Sequence, residues 1–146
     1  FIVGHPNETE EMFEEMCEFA SSFGFDRINV FSYSDEETTP AYDMSNKISA
    51  ELIASRAEIL GEIASECTEL SLRKEVGQDI ELVIDGESEE HEYLLSARKL
   101  LWAPEIDGEI YVNDRTKEEE LDFGVIYRAK VTDLIGNILT ATVDNA

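Results

Sequence analysis

Two short stretches of this chain carry side chains that could do chemistry. The first is Gly4-His5-Pro6-Asn7-Glu8, which follows the apolar run Phe1-Ile2-Val3 and leads into a helical pattern. In a parallel α/β sheet, ligands bind beyond the carboxyl ends of the strands, so this turn and the Ser32-Tyr33-Ser34 end of a second apolar run would share one mouth. Gly4 admits a flat ring or a main chain at close range; alternatively, Gly4 and Pro6 only turn the strand into the helix. His5 reads either as a base or as a local hydrogen-bonding residue. Glu8 reads either as a ligand contact or as a negative charge at a helix start.

The second stretch is Ala103-Pro104-Glu105-Ile106-Asp107-Gly108-Glu109-Ile110-Tyr111-Val112, an acidic turn feeding a strand. Glu105, Asp107 and Glu109 crowd one short segment and would repel a nucleic-acid backbone. Trp102, just before it, is the candidate exposed anchor. Tyr93, Tyr111, Phe123 and Tyr127 read as core or protein-interface aromatics, because base stacking goes with a basic groove and the neighbours here are carboxylates. His91 lies in an acidic turn and reads as solvated. A cysteine cluster, a Walker loop and a nucleophile triad are all missing from the sequence, so no catalytic residue is expected within it.

The elements that must position these stretches differ in period. Asn7 or Thr9 can cap a helix whose apolar set is Met12, Phe13, Met16, Cys17, Phe19, Ala20 and Phe23, stopped by Gly24. Residues 27–33 form a near-continuous apolar strand of the kind buried on both faces of a parallel sheet. After a polar loop with Pro40, a long amphipathic helix runs from a Ser49 cap to about Arg73 on Leu52, Ile53, Ala57, Ile59, Leu60, Ile63, Cys67 and Leu70. Beyond it the period falls to 2. Ile80, Leu82 and Ile84 alternate with acidic residues before Gly86 turns the chain. Further strands are expected over 92–98, 109–112, 123–132 and 138–143, with a charged hairpin-like loop over 114–122. Five short strands without an intervening helix indicate a small antiparallel barrel.

Composition narrows the partners. The chain has 146 residues, 42% of them hydrophobic, and 34 acidic against 11 basic residues, a formal charge of −23. From Lys74 onward 18 acidic residues face 7 basic ones, so both halves are acidic and neither hides a basic patch. Such a surface favours basic partners and disfavours phosphate. Cys17 and Cys67 are far apart in apolar stripes and read as free thiols of a reducing compartment, which places the protein in the cytoplasm. A membrane-spanning run and a signal-peptide pattern are both lacking. Because the chain starts at Phe1 inside a strand pattern, it is expected to be a fragment of a longer protein.

The stretch Ile2 to Glu8 is similar to the isoleucine-glycine-glutamate motif on the fifth strand of radical S-adenosylmethionine enzymes. Phe31-Ser32-Tyr33-Ser34 and Thr39-Pro40-Ala41 also resemble the methylthiotransferase family, radical enzymes that end in a TRAM domain. Two glycines of that pattern are replaced by Asn7 and Thr38, and Asn accepts a left-handed backbone far better than Thr. Within the family, Ala103-Pro104-Glu105-Ile106-Asp107-Gly108 resembles the branch that modifies an aspartate of small-subunit ribosomal protein S-twelve, although Trp102 departs from its pattern.

The resemblance implies an α+β chain in two parts. Residues 1–73 would be the C-terminal portion of a radical-enzyme βα (TIM-like) barrel with its linker helix, and 74–146 a five-stranded antiparallel, OB-like TRAM barrel. The parent enzyme would use S-adenosylmethionine and two four-iron-four-sulfur (4Fe-4S) clusters, whose cysteines lie upstream. It would form a deoxyadenosyl radical that takes hydrogen from the aspartate β-carbon, where a methylthio group is installed. Ile2, Gly4, Glu8 and Tyr33 would contribute to the S-adenosylmethionine pocket. Trp102, Glu105, Asp107 and Glu109 would dock the basic protein substrate. The fragment itself is expected to be inactive, monomeric and without bound cofactor. A competing reading makes the barrel an RNA-binding module of a tRNA-modifying relative, and a third makes the chain an acidic adaptor.

Overall fold

A computed structural model describes residues 1–104, 106–113 and 121–144. The chain divides into two compact units, Phe1–Ser71 and Leu72–Ala146.

The first unit opens with β1 (Ile2–Val3), followed by α1 (Glu10–Phe23), β2 (Phe31–Ser32) and α2 (Ala50–Glu75), whose last turn enters the second unit. Thr9 is the N-cap of α1: its backbone is extended and its side chain accepts the Met12 N–H at 3.2 Å, with Glu10 and Glu11 in the first turn. Gly24 closes the helix at φ 84°, a left-handed value that suits glycine. Ser49 caps α2 by accepting the Leu52 N–H at 3.3 Å.

Val3, Phe13, Ala20 and Leu60 form the buried centre, with Phe1, Met16, Cys17, Ile28, Val30, Ile53, Ala57 and Ile63 packed around them. The buried arc of α1 is therefore narrower than its apolar pattern. Met12, Phe19 and Phe23 lie outside that arc and stay exposed, and the Phe19 and Phe23 rings pack on Phe25 instead. Likewise Leu52, Ile59 and Leu70 of α2 face solvent while Arg56, Ala64 and Thr68 are buried.

The expected seven-residue second strand is corrected to two residues. β2 pairs in parallel with β1 through Ile2↔Phe31 and Val3↔Ser32, and residues 27–30 lie outside the ladder. Ile2 and Phe31 are 60% and 61% exposed, so this pair of strands is covered on one face only.

The second unit is a closed ring in the order β3-β4-β5-β7-β6. Its strands are β3 (Asp79–Glu87), β4 (Leu95–Lys99), β5 (Ile110–Val112), β6 (Ile126–Ile135) and β7 (Ile138–Val143). Gly86 does not turn the chain: it lies inside β3, beside a register shift between Ile84 and Gly86. This bulge bends β3, which pairs with β6 over 79–83 and with β4 over 82–87. The real turn is later, where the Ser88 N–H reaches the Leu94 carbonyl at 2.9 Å. Residues 92–94 are lost from the expected strand for that reason.

The wholly antiparallel barrel is also corrected, because β5 and β7 run parallel. Directions can alternate perfectly around a ring only if the number of strands is even, so a closed ring of five must contain at least one parallel pair. The core comprises Ile80, Leu82, Ile84, Ala97, Ile110, Val112, Ala129, Val131, Leu139, Ala141 and Val143, joined by Leu72 from the last turn of α2. Burying each large aliphatic among them stabilises the barrel by about 1.5–3 kcal/mol. The charged loop expected over 114–122 lies largely outside the described residues.

Candidate functional site

The turn after β1 has a backbone that few sequences allow. Gly4 sits at φ 86° and Asn7 at φ 71°, two left-handed residues within four. Asn7 is the position where the family pattern has glycine, and Asn fills the left-handed role; Thr38 shows no positive φ. Gly4 is also required sterically, since a Cβ there would lie 2.3 Å from Ile53 Cγ1. The space beside Gly4 is therefore filled by α2 rather than left open.

Glu8 points into the protein. Its Oε2 accepts the Gly4 N–H at 3.0 Å, and its Oε1 accepts Arg56 Nη1 at 2.7 Å. Arg56 Nη2 donates to Glu10 at 2.7 Å, and the guanidinium lies 5.1 Å from the Phe13 ring centre. On the other side, the Asn7 N–H meets the Asn46 carbonyl at 3.0 Å and Asn46 Nδ2 donates to Asn7 Oδ1 at 2.8 Å. His5 Nδ1 donates to the Pro6 carbonyl at 2.9 Å, a local hydrogen bond within the turn.

Tyr33 continues the β2 direction, its N–H bonded to the Val3 carbonyl at 2.8 Å. Its ring lies edge to face with His5 at 5.4 Å, and its hydroxyl donates to Asp35 at 2.8 Å. Partial burial and the Asp35 carboxylate push the phenol above its ordinary pKa, while Lys47 and Tyr33 hold Asp35 below its own. Lys47 closes this cluster through Asp35 and the Ala41 carbonyl.

Side chains alternate along a strand, so Ile2 and its register partner Phe31 share the uncovered face of β1–β2. The structure thus sets Ile2, Phe31 and Tyr33 on one side of the β1–β2 pair with His5 against the Tyr33 ring, and turns the Glu8 carboxylate and the α-carbon of Gly4 toward α2. Arg56 was not singled out from the sequence, and Phe31 entered only within the Phe31-Ser32-Tyr33-Ser34 stretch. Arg56 left a signal: it sits three residues after Ile53 and four before Leu60, a charge on the apolar side of a helix.

The barrel carries a separate cleft of about 700 Å³. Asp85, Glu87, Glu89, Glu90 and Glu109 line it, with Arg98 as the cation among its described residues. Arg98 is tied to Asp85 at 3.2 Å, leaving the acidic character dominant. One wall is fixed by Tyr111 of β5, whose buried hydroxyl donates to Glu90 at 3.0 Å. Burial, then the Glu90 contact, then Glu109 push its phenol up to about 12.

Of the four residues expected to dock a partner, Glu109 lines this cleft. Asp107 closes its own turn by accepting the Ala103 N–H at 2.7 Å. Trp102 is corrected from an exposed anchor to a half-buried ring packed on the barrel core, with Lys99 Nζ 5.9 Å from its centre. Glu105 lies outside the described residues.

Residues 76–143 match the TRAM domain family, and the closed five-stranded ring with its appended cleft is a TRAM barrel. The whole chain is 70% identical over 146 residues to the ribosomal protein uS12 methylthiotransferase RimO of Sulfurimonas denitrificans, covering 100% of this chain and 33% of that relative. It is 59% identical over 145 residues to the protein of that name from Aliarcobacter butzleri, covering 98% of this chain and 32% of the relative. With a Campylobacter jejuni protein of that name it shares 45% over 141 residues, covering 97% of this chain and 32% of the relative. Over its whole length the chain is thus similar to one part of proteins named ribosomal protein uS12 methylthiotransferase RimO. It spans about a third of the length of the curated relatives it matches.

Proposed function

We propose that this chain is the C-terminal part of an enzyme that methylthiolates the β-carbon of an aspartate in ribosomal protein uS12, and that its barrel docks that protein. The observation that carries the docking role is the cleft with five lining carboxylates, Asp85, Glu87, Glu89, Glu90 and Glu109. A cationic polypeptide is the complement of such a surface, and long-range attraction would raise its rate of encounter. A phosphate backbone would be repelled.

In this reading residues 1–73 complete a radical-enzyme βα barrel, and the mouth at Ile2, Phe31 and Tyr33 takes the adenine end of S-adenosylmethionine. The fit rests on the exposed apolar pair Ile2 and Phe31 beside the Tyr33 ring. When bound, S-adenosylmethionine supplies one-electron chemistry able to take hydrogen from an unactivated carbon. The protein's own part is to present a flat apolar shelf and to hold the turn behind it, Gly4 through packing on Ile53 and Glu8 through its bonds. The residues do not fit a 4Fe-4S cluster: Cys17 and Cys67 are half-buried, and Cys67 is bonded to the Ala20 carbonyl. Among the described residues no group of three or more metal-ligating side chains comes together. The two clusters belong to the remaining two thirds of the parent, and this chain alone is inactive. Free thiols agree with a cytoplasmic setting, and among the described residues no helix is long and apolar enough to cross a membrane.

Titration of purified uS12 against this chain by calorimetry tests the docking role. Binding should weaken steeply as salt rises, and Glu87→Gln combined with Glu89→Gln should weaken it further. Salt-insensitive binding, or tight binding of tRNA in its place, would reject it.

A further inference from the structure

The geometry points to Arg56 as a positioning residue for the cofactor mouth: from the buried face of α2 it holds the Glu8 carboxylate, which holds the Gly4 N–H and so fixes where β1 delivers Ile2 and His5. The inference rests on the reading that this turn borders the S-adenosylmethionine pocket.

Several observations converge on it. Arg56 and Glu8 are 48 residues apart, yet their side chains are only 4% and 10% exposed where they meet at 2.7 Å. Arg56 Nη1 also reaches the Glu8 main-chain carbonyl at 3.3 Å, so it grips both the side chain and the backbone of one residue. Its Nε is buried without a partner among the described residues. Arginine thus accepts an unsatisfied donor in order to reach Glu8 and Glu10 together. One helical turn earlier, Ile53 packs against the Gly4 α-carbon. The two α2 residues hold the same turn from behind, one by contact and one by charge.

A turn with two left-handed residues has few local forces to keep it in one shape. The Glu8 carboxylate accepts the Gly4 N–H, and once released by Arg56 it would turn toward water. The Gly4 N–H would lose its acceptor and the end of β1 would move. Glu10 is different: its arm of the clamp is 64% exposed, so the Glu10 pair is not needed for the mouth.

The test uses the full-length parent enzyme without substrate, with S-adenosylmethionine affinity measured by equilibrium dialysis at a temperature where every variant is folded by circular dichroism. Arg56→Met should raise Kd on the order of tenfold, the loss of one charged hydrogen bond's contribution. Arg56→Lys, whose single ammonium can reach Glu8, should recover most of it. Glu10→Gln should stay within about twofold, as expected for an exposed pair. Amide exchange in the peptide spanning 1–9 should speed up in Arg56→Met and be restored in Arg56→Lys. A merely structural arginine would lower the melting temperature yet leave the affinity and the exchange of the folded protein unchanged, and that result overturns the proposal. If Arg56→Met does not fold, Glu8→Gln takes its place, since an amide presents a donor to either Arg56 or Gly4; unchanged affinity there overturns it equally. Ile2→Asp separates the two layers. If Ile2→Asp also binds normally, the pocket reading fails; if it binds poorly while the Arg56 and Glu8 variants bind normally, only the positioning role fails.

Discussion

Arg56 and Glu8 meet at 2.7 Å with both side chains withdrawn from water, whereas Lys130 and Asp79 meet at 3.3 Å with side chains 56% and 75% exposed. The two pairs should differ sharply in their contribution to stability. Arg56→Met breaks a pair whose two side chains are 4% and 10% exposed, and removing one partner of such a pair costs about 3–5 kcal/mol. Asp79→Asn breaks a solvated pair and costs about 0–1 kcal/mol. Thermal unfolding of the two variants, followed by calorimetry, should show a large drop for the first and almost none for the second.

Gly4 faces two constraints that a mutant cycle can separate. A left-handed backbone costs an alanine about 1–2 kcal/mol, and the new Cβ would lie 2.3 Å from Ile53 Cγ1. Gly4→Ala should therefore destabilise by roughly 2–4 kcal/mol once overpacking is added. Removing the obstacle with Ile53→Ala relieves the clash but not the backbone. The double variant should be more stable than the sum of the single effects by about 1 kcal/mol or more. Strict additivity in denaturant titrations would mean that the two residues do not touch.

Local features of this fold were legible in the sequence because each is decided within a few residues. The Thr9 and Ser49 caps, the Gly24 stop and the β7 span follow from side-chain chemistry and period alone. Features decided by closure were not. Nothing near Ile110 or Leu139 signals that their strands run parallel; the odd number of strands in the ring demands a parallel pair without saying which. Gly86 shows the same limit: a glycine after alternating residues predicts a turn, yet here it serves a bulge within a longer strand. At the candidate site, Tyr33 was singled out by its place at a strand end and Ile2 by motif resemblance. Arg56 was missed because its role depends on a partner 48 residues away. Asp107 and Glu109 looked alike in an acidic turn, but one bonds to its own backbone and the other lines the cleft.

Tyr111 should make the barrel sensitive to alkali. Its phenol is held near 12 against an ordinary value of 10.0, so the folded state keeps a proton that the unfolded chain has lost. The sign follows from linkage: its contribution is fully present below about 10 and is lost as pH rises toward about 12. Tyr111→Phe should remove this decline between the two values. At neutral pH it should cost about 1 kcal/mol for the missing bond to Glu90. Unfolding midpoints of both proteins across pH 8 to 12 check the point, and parallel curves would show that another group is responsible.

Three alanines set the bore of the barrel, each between two branched residues in register. Ala97 stands beside Ile84 and Ile110, Ala129 beside Ile80 and Val143, and Ala141 beside Val112 and Val131. All three are buried, at 0%, 0% and 2% exposure. A five-stranded ring encloses little volume, so small residues must alternate with large ones for the layers to interdigitate. Leucine at any of these positions should overfill the core and destabilise by about 1–3 kcal/mol. Thr142 follows Ala141 directly but faces solvent, and Thr142→Leu should stay within about 0.5 kcal/mol of the parent. Urea titrations should show lower midpoints for the three core variants with unchanged slopes; an unchanged midpoint at Ala129 would mean that the ring has room its packing does not reveal.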